Sequence, residues 1–483
     1  MTNVTAFGAV KEIGGNKLLL EDKGTKVFLD FGLCFSRMNS FFSPYLRPRS
    51  WEYIKDFIAL CLLPDLEGLY RQDYENRMRE SSEDPLYDGI ILSHPHLDHA
   101  GFVSYLRSDI PIFCSQGTKA ILQTFEVSSF GFHEYTRLKE NFKLRPSKRD
   151  SSKLTKDKGS IIPRDINIFK PDFKVDDINV HAFPVDHSVP GAHSFVIETS
   201  EGAVVYTGDI RFHGRKSNYS DFFVSKAAEY DPVLLLTEGT RISETTTYGE
   251  LDLQRDLFKL SSDVEGMIIT NFPIRDTDRM RSFIEVAESV DRTLVVSLRQ
   301  AYALKTLEEN GVKDIPRINE VSIFIPKKGW GILDDNNYPK DVQLQDYSTW
   351  EREFLDHSNS VRAEEIAANP RKYIFRCDFF ELKHLFDIKP PEKSIYIRSV
   401  TEPIDEEMEL DQRRVNEWLK YFNLYPYHQL HCSGHASSGD IKEMVNKINP
   451  KQVMPIHTEE PLAFSSFHSN ILNPELGEKY EIK

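Results

Sequence analysis

The sequence predicts an α/β protein in which one α/β domain is inserted into another. Three observations carry this. Short β-favouring runs separated by turn residues open the chain. Between about Gly249 and Tyr425 the pattern becomes strand alternating with helix, as in a self-contained α/β unit. Beyond it, Ser433-Gly-His-Ala-Ser437 and Pro455-Ile-His-Thr458 bring back the histidine chemistry of the opening part. The expected organisation is one domain over 1–248 and 426–483, interrupted by a second over 249–425.

Each element follows from its pattern. Val4–Val10, Lys17–Glu21 and Lys26–Asp30 read as strands joined by Gly-Gly-Asn and Asp-Lys-Gly turns, and Phe31-Gly32 closes the third. Residues 36–85 are irregular, rich in Tyr, Arg and Pro, with a helix expected at Trp51–Leu60. Asp88–Ser93 reads as a buried strand. Further strands are expected at Ile110–Cys114, Ile178–Phe183, Ser194–Glu198, Ala203–Tyr206 and Val233–Thr237, with a helix at Gly117–Val127. In the middle, Met267–Asn271, Thr293–Ser297 and Ser394–Arg398 read as strands, and Ser282–Ser289 and Arg413–Phe422 as helices.

Composition narrows the function classes. With 40% hydrophobic and 28% charged residues among 483, the chain is an ordinary soluble, folded one. No apolar run approaches the roughly 20 residues that span a bilayer. Nor does the N-terminus show the charged-then-apolar order of a signal peptide. Five scattered cysteines fit a reducing cytoplasm rather than a disulfide framework. The net charge of −15 argues at first against a nucleic-acid partner. From Arg137 to Arg164, however, ten Lys or Arg stand against three acids. That stretch is either a solvated loop or a basic rim guiding a polyanion, and bound metal adds positive charge that a formal count omits.

The chemistry centres on His94-Pro-His96-Leu-Asp98-His99, directly after a strand. Imidazole nitrogen and carboxylate oxygen suit zinc or a similar divalent ion. Four ligands this close cannot all serve one tetrahedral ion. They divide more easily, His94 and His96 to one ion and Asp98 and His99 to another, as in two-metal hydrolases. Further ligand candidates stand at later strand ends: His187, Asp209 after Gly208, and His457 after Val453–Ile456. His193 and His213 have no slot in this arrangement and read as structural.

These residues, with Gly8–Asn16 and Phe28–Gly32, resemble the β-CASP nucleases of the metallo-β-lactamase superfamily, in particular the ribonuclease J family. The resemblance covers nearly the whole chain. It includes Glu238 in Leu236–Thr240, Ser433-Gly-His435, Pro455-Ile-His457, and Asn271-Phe-Pro and Arg279 in the middle domain. It implies a four-layer αββα fold with an inserted α/β β-CASP domain, and two divalent ions, zinc or else manganese. His94, His96 and His187 would hold one, and Asp98, His99 and His457 the other, with Asp209 bridging. His435 would be the general acid, oriented by Glu238. The loop His431-Cys432-Ser433-Gly434-His435 would hold a substrate phosphate. His457 in the third motif implies single-stranded RNA as substrate, cut from its 5′ end, internally or both. Only 26 residues (483 − 457) follow His457, so the separate C-terminal domain that supports dimers in many bacterial members is expected to be missing. A homo-oligomer is compatible with the sequence.

Two other readings compete. A small-molecule hydrolase acting on a thioester or lactone would need neither the inserted domain nor Ser-Gly-His. A non-catalytic RNA-binding relative would be expected to have lost metal ligands, and all are present here.

Overall fold

The computed structural model describes residues 1–128, 134–139, 144–156, 161–402 and 406–483. Residues 129–133 and, within the basic stretch, 140–143 and 157–160 therefore lie outside the described residues.

Two sheets stack face to face. The first has seven strands in the order Ile166–Ile168, Ile112–Cys114, Gly89–Ile91, Thr25–Leu29, Leu18–Asp22, Thr2–Ala6 and Lys479–Ile482. The second has six: Asp172–Val175, Ile178–Pro184, His193–Thr199, Gly202–Tyr206, Leu234–Thr237 and Val453–Pro455. Alternating side chains send Val4, Leu18, Leu20, Val27 and Leu29 from one sheet against Val180, Phe195, Ile197, Val204 and Leu236 from the other, making a continuous buried layer. Helices cover both outer faces. Gln116–Ser128 packs on Phe28 and Ile90 of the first sheet, and Ser217–Ala228 and Ser438–Ile448 pack on Val196, Val205 and Leu235 of the second. The result is four layers, αββα. The Asp-Lys-Gly turn is a two-residue hairpin loop, with Lys23 and Gly24 both at positive φ and Asp22 paired with Thr25.

The third sheet is separate. Seven strands run parallel throughout, ordered Ser360–Val361, Ser322–Phe324, Thr293–Val296, Tyr373–Arg376, Ile268–Asn271, Ile395–Arg398 and His428–Gln429. Both faces of its central strands are buried, so runs such as Thr293–Val296 carry no polar alternation. Its last strand lies beyond the expected boundary at residue 425, so this sheet extends to Gln429.

Some expected elements differ in extent. The opening strand is Thr2–Ala6, not Val4–Val10, because Ala9 and Lys11 take left-handed backbone and turn the chain into a loop. The helix expected at Trp51–Leu60 contracts to Lys55–Ala59 below a left-handed Tyr53. The helix expected at Ser282–Ser289 starts earlier, at Thr277, where the Asp276 side chain accepts the Arg279 N–H. The helices Glu250–Ser262 and Leu298–Glu309 add to those expected. The second opens on a capping box, Ser297 with Gln300, which is a sequence-level signal. Among the described residues no helix is long and apolar enough to cross a membrane.

Candidate metal centre

The strands place the site. Gly89–Ile91, Ile178–Pro184, Gly202–Tyr206, Leu234–Thr237 and Val453–Pro455 each end a few residues before His94, His187, Asp209, Glu238 and His457. Rigid strands thus deliver five short loops to one mouth between the stacked sheets. Two glycines permit the close approach. A Cβ at Gly32 would sit 1.7 Å from the Asp98 carbonyl oxygen, and one at Gly434 would sit 3.1 Å from the His187 ring.

The predicted ligands converge in two groups joined by Asp209. His94, His96, His187 and Asp209 present one ligand atom each, all within 4.8 Å of one another, and so do Asp98, His99, Asp209 and His457. In the first group His96 Nδ1 lies 3.2 Å from His94 Nε2 and 3.1 Å from His187 Nε2. Three ring nitrogens this close cannot all carry protons. Burial pushes His94 and His187 well below the usual histidine range and His96 down to about 4, leaving the neutral rings that ligate a cation. In the second group His457 Nε2 is 3.3 Å from Asp98 Oδ2, and His99 Nε2 is 3.1 Å from Asp209 Oδ1. His99 Nε2 and Asp209 Oδ1, both buried, face each other as an ion pair without the direction of a regular hydrogen bond. Buried nitrogen and oxygen donors converging on one point fit divalent metal.

Four of the five rings are anchored on their far side, which fixes which nitrogen faces inward. His187 Nδ1–H donates to the Gly434 carbonyl at 2.7 Å, and His457 Nδ1 pairs with the Thr240 hydroxyl at 2.8 Å. His94 Nδ1 meets the Ser93 hydroxyl at 3.0 Å. His99 Nδ1–H donates to Asp30 Oδ2 at 2.7 Å. Asp30, expected only to close a strand, also accepts the Ser93 N–H and hydroxyl and the Tyr206 hydroxyl.

Beside the cluster, His435 Nδ1–H donates to Glu238 Oε2 at 2.9 Å, while Glu238 Oε1 accepts the Ile210 N–H at 2.8 Å. Burial opposes a charge on His435, but the Glu238 and Asp209 carboxylates outweigh it and push the imidazole up to about 9. His435 thus has one ring nitrogen occupied and the other available, and with Glu238, Asp209 and His457 it forms a third group of closely spaced ligand atoms.

The Ser-Gly-His loop is held from below by two buried arginines. Arg279 donates to the Cys432 carbonyl at 3.0 Å, to Ser399, and to Glu250 through two nitrogens. Arg211 donates to the Ser433 carbonyl, to Asp186 and, across to the inserted domain, to Asp278 at 2.8 Å. Cys432 is buried, its thiol pushed up to about 12, so its side chain offers nothing to a substrate. His431 is also largely buried and pushed down to about 3 by burial. The His435 and Ala436 N–H groups are taken by Ser433 Oγ and the Ile210 carbonyl. Ser433 and Gly434 are thus the loop positions left for an anion. His193 donates to the Gly191 carbonyl and His213 contacts the Ser433 carbonyl, both supporting loops rather than the cluster.

Comparison with known proteins agrees with this architecture. Residues 85–257 match the metallo-beta-lactamase superfamily, and residues 427–465 match the Zn-dependent metallo-hydrolase RNA specificity domain. Ribonuclease J of Pyrococcus abyssi is 23% identical over 475 residues, spanning 95% of this chain and 90% of that protein. Ribonuclease J of Mycolicibacterium smegmatis is 24% identical, spanning 94% of this chain and 68% of that protein. Among solved structures, a protein of unknown function from Enterococcus faecalis V583 shares the fold, with a TM-score of 0.72, 23% identity and 99% of each chain covered.

Proposed function

Starting from a ribonuclease J-like protein of the metallo-β-lactamase superfamily, we propose a metal-dependent ribonuclease that hydrolyses phosphodiester bonds of single-stranded RNA. One observation carries the reading most. A proton-bearing His435, held by Glu238, stands against Asp209, the residue common to both ligand groups. A thioester or lactone hydrolase would have no need of that acid at a phosphate-sized loop.

His94, His96 and His187 would hold one divalent ion, and Asp98, His99 and His457 a second, with Asp209 between them. Zinc fits this donor set best, and manganese is the alternative. When bound, such ions supply Lewis acidity and positive charge for the reacting phosphoryl group. The chain's own residues do the rest. His435 delivers its Nε2 proton to the departing ribose oxygen, and Glu238 fixes the tautomer by taking Nδ1–H. Ser433 and Gly434 orient a phosphate oxygen, on a loop that Arg211 and Arg279 hold still. Five free cysteines support placement in the reducing cytoplasm.

A 5′-monophosphorylated, labelled single-stranded RNA incubated with the protein and Mn²⁺ or Zn²⁺ tests the reading. Released mononucleotides reveal action from an end, and internal fragments reveal cutting within the strand. An RNA left intact beside a cleaved thioester would overturn it. The same preparations, by light scattering, read whether copies associate.

A further inference from the structure

One part of the long segment after the third strand takes no part in the metal centre or its supports. Residues 35–51 contain Arg37, Arg47 and Arg49 and no acid, in a chain of net charge −15. The segment also displays large apolar groups. Tyr45 is 99% exposed, Trp51 67%, Leu46 65%, Phe35 49% and Phe41 43%. Isolated exposed apolar residues need no explanation, but such a group on one short segment does.

The segment is ordered and tied to the site's rim. The Leu33 N–H donates to the Leu97 carbonyl at 3.0 Å, inside the His94–His99 loop, and the helix Phe35–Phe41 starts two residues later. Arg37 lies 3.7 Å from Glu12, whose carboxylate accepts the Ala9 N–H. The Ala9 carbonyl in turn accepts the His457 N–H at 2.9 Å. Past the helix, Ser43 accepts the Leu46 N–H, and Arg49 pairs with Asp56. Arg47 is exposed and donates to the Pro44 carbonyl, with no carboxylate paired to it among the described residues.

We infer that residues 35–51 form a stacking platform that receives single-stranded RNA on the rim of the metal centre, with Tyr45 and Trp51 taking base faces and Arg47 a backbone phosphate. The inference rests on the ribonuclease reading. Every base has a π-face, so rings on a basic surface bind single strands with little regard to sequence. Continuity with the loops carrying Asp98 and His457 favours the substrate over other occupants. An anionic membrane is the less suitable partner. The one helix is seven residues long and Pro44 and Pro48 come after it, so there is no long amphipathic face to lie in a lipid interface.

The test compares full-length wild type with the exposed-residue variants Tyr45→Ala/Trp51→Ala and Arg47→Glu. Binding of a 5′-phosphorylated single-stranded RNA is measured by anisotropy in the His435→Ala background, so that the strand persists. The double variant is expected to weaken binding at least tenfold. Arg47→Glu should flatten the dependence of log affinity on log salt by about 0.7 or more. RNA should quench the fluorescence of wild type, and Trp51→Phe should abolish most of that quench. In the otherwise native enzyme, KM for RNA should rise while turnover of bis(p-nitrophenyl) phosphate, too small to reach the platform, stays unchanged. Unchanged RNA affinity in the double variant would overturn the inference. So would an equal loss on the small diester, or ring-dependent binding confined to phosphatidylglycerol vesicles. RNA that quenches Trp51 but is never cut would leave the platform standing and sink the ribonuclease reading instead.

Discussion

The two walls of the cleft are built on opposite principles. The wall from the stacked sheets gathers seven candidate ligands, five of them on loops that succeed strands and two, Asp98 and His99, on the short helix Leu97–Ala100. On the wall from the inserted domain the charged groups beneath the Ser-Gly-His loop are paired, although Asn271 Oδ1, Gln300 Nε2 and Arg376 Nε elsewhere in that domain have no hydrogen-bond partner among the described residues. Arg279 meets Glu250, Ser399 and Cys432, and Asp278 meets Arg211. The first wall gathers a nitrogen-and-oxygen donor set, while the second pairs the charged groups that keep the loop in place. Chemistry and positioning are thus divided between the domains, and the Ser-Gly-His loop is where they meet.

Breaking the first wall should have the largest effect. Asp209→Asn removes the charge shared by both ligand groups, so metal content by mass spectrometry should fall and RNA cleavage should drop by more than that of any other single change. Next, His435→Ala should lower kcat by about 10²–10⁴-fold while bound metal stays nearly constant. If metal also collapsed, His435 would belong with the ligands. Breaking the second wall should read out differently. Arg279→Met leaves Glu250 buried and unpaired, which should cost about 3–5 kcal/mol in denaturant unfolding, with metal affinity changed little.

The contrast also explains what the sequence could reveal. His94 to His99 crowd four ligand types into six residues, so local spacing alone exposes the centre, and strand ends point to His187, Asp209 and His457. Asp30 escapes, because its partner His99 is 69 positions away and an Asp before Phe-Gly looks like any turn. Arg211 and Arg279 escape as loop anchors for the same reason: their partners come from both domains and from far along the chain. Cys432, adjacent to Ser433, looks like part of a phosphate loop, yet its side chain is core. Within the inserted domain, short parallel strands such as Tyr373–Arg376 carry no alternation, and the three-residue apolar run Tyr373–Phe375 does not distinguish strand from helix.

The smallest expected effect is also the most specific to the junction of the two walls. Glu238 and Asp209 raise His435 against the opposing pull of burial. A general acid works only while protonated, so activity should fall as pH rises through the His435 value. Cations at Asp209 would lower that value and leave the sign of the pH effect unchanged. Glu238→Gln keeps a hydrogen-bond acceptor beside Nδ1 and removes the negative charge that favours imidazolium. The His435 pKa should therefore drop, and the alkaline limb of the kcat/KM profile should move to lower pH by about 1–3 units. An acidic limb that moved as well would place Glu238, which lies with Asp209, His435 and His457 in a third group of ligand atoms, among the metal ligands. A limb that moved upward, or that persisted in His435→Ala, would show that another group donates the proton.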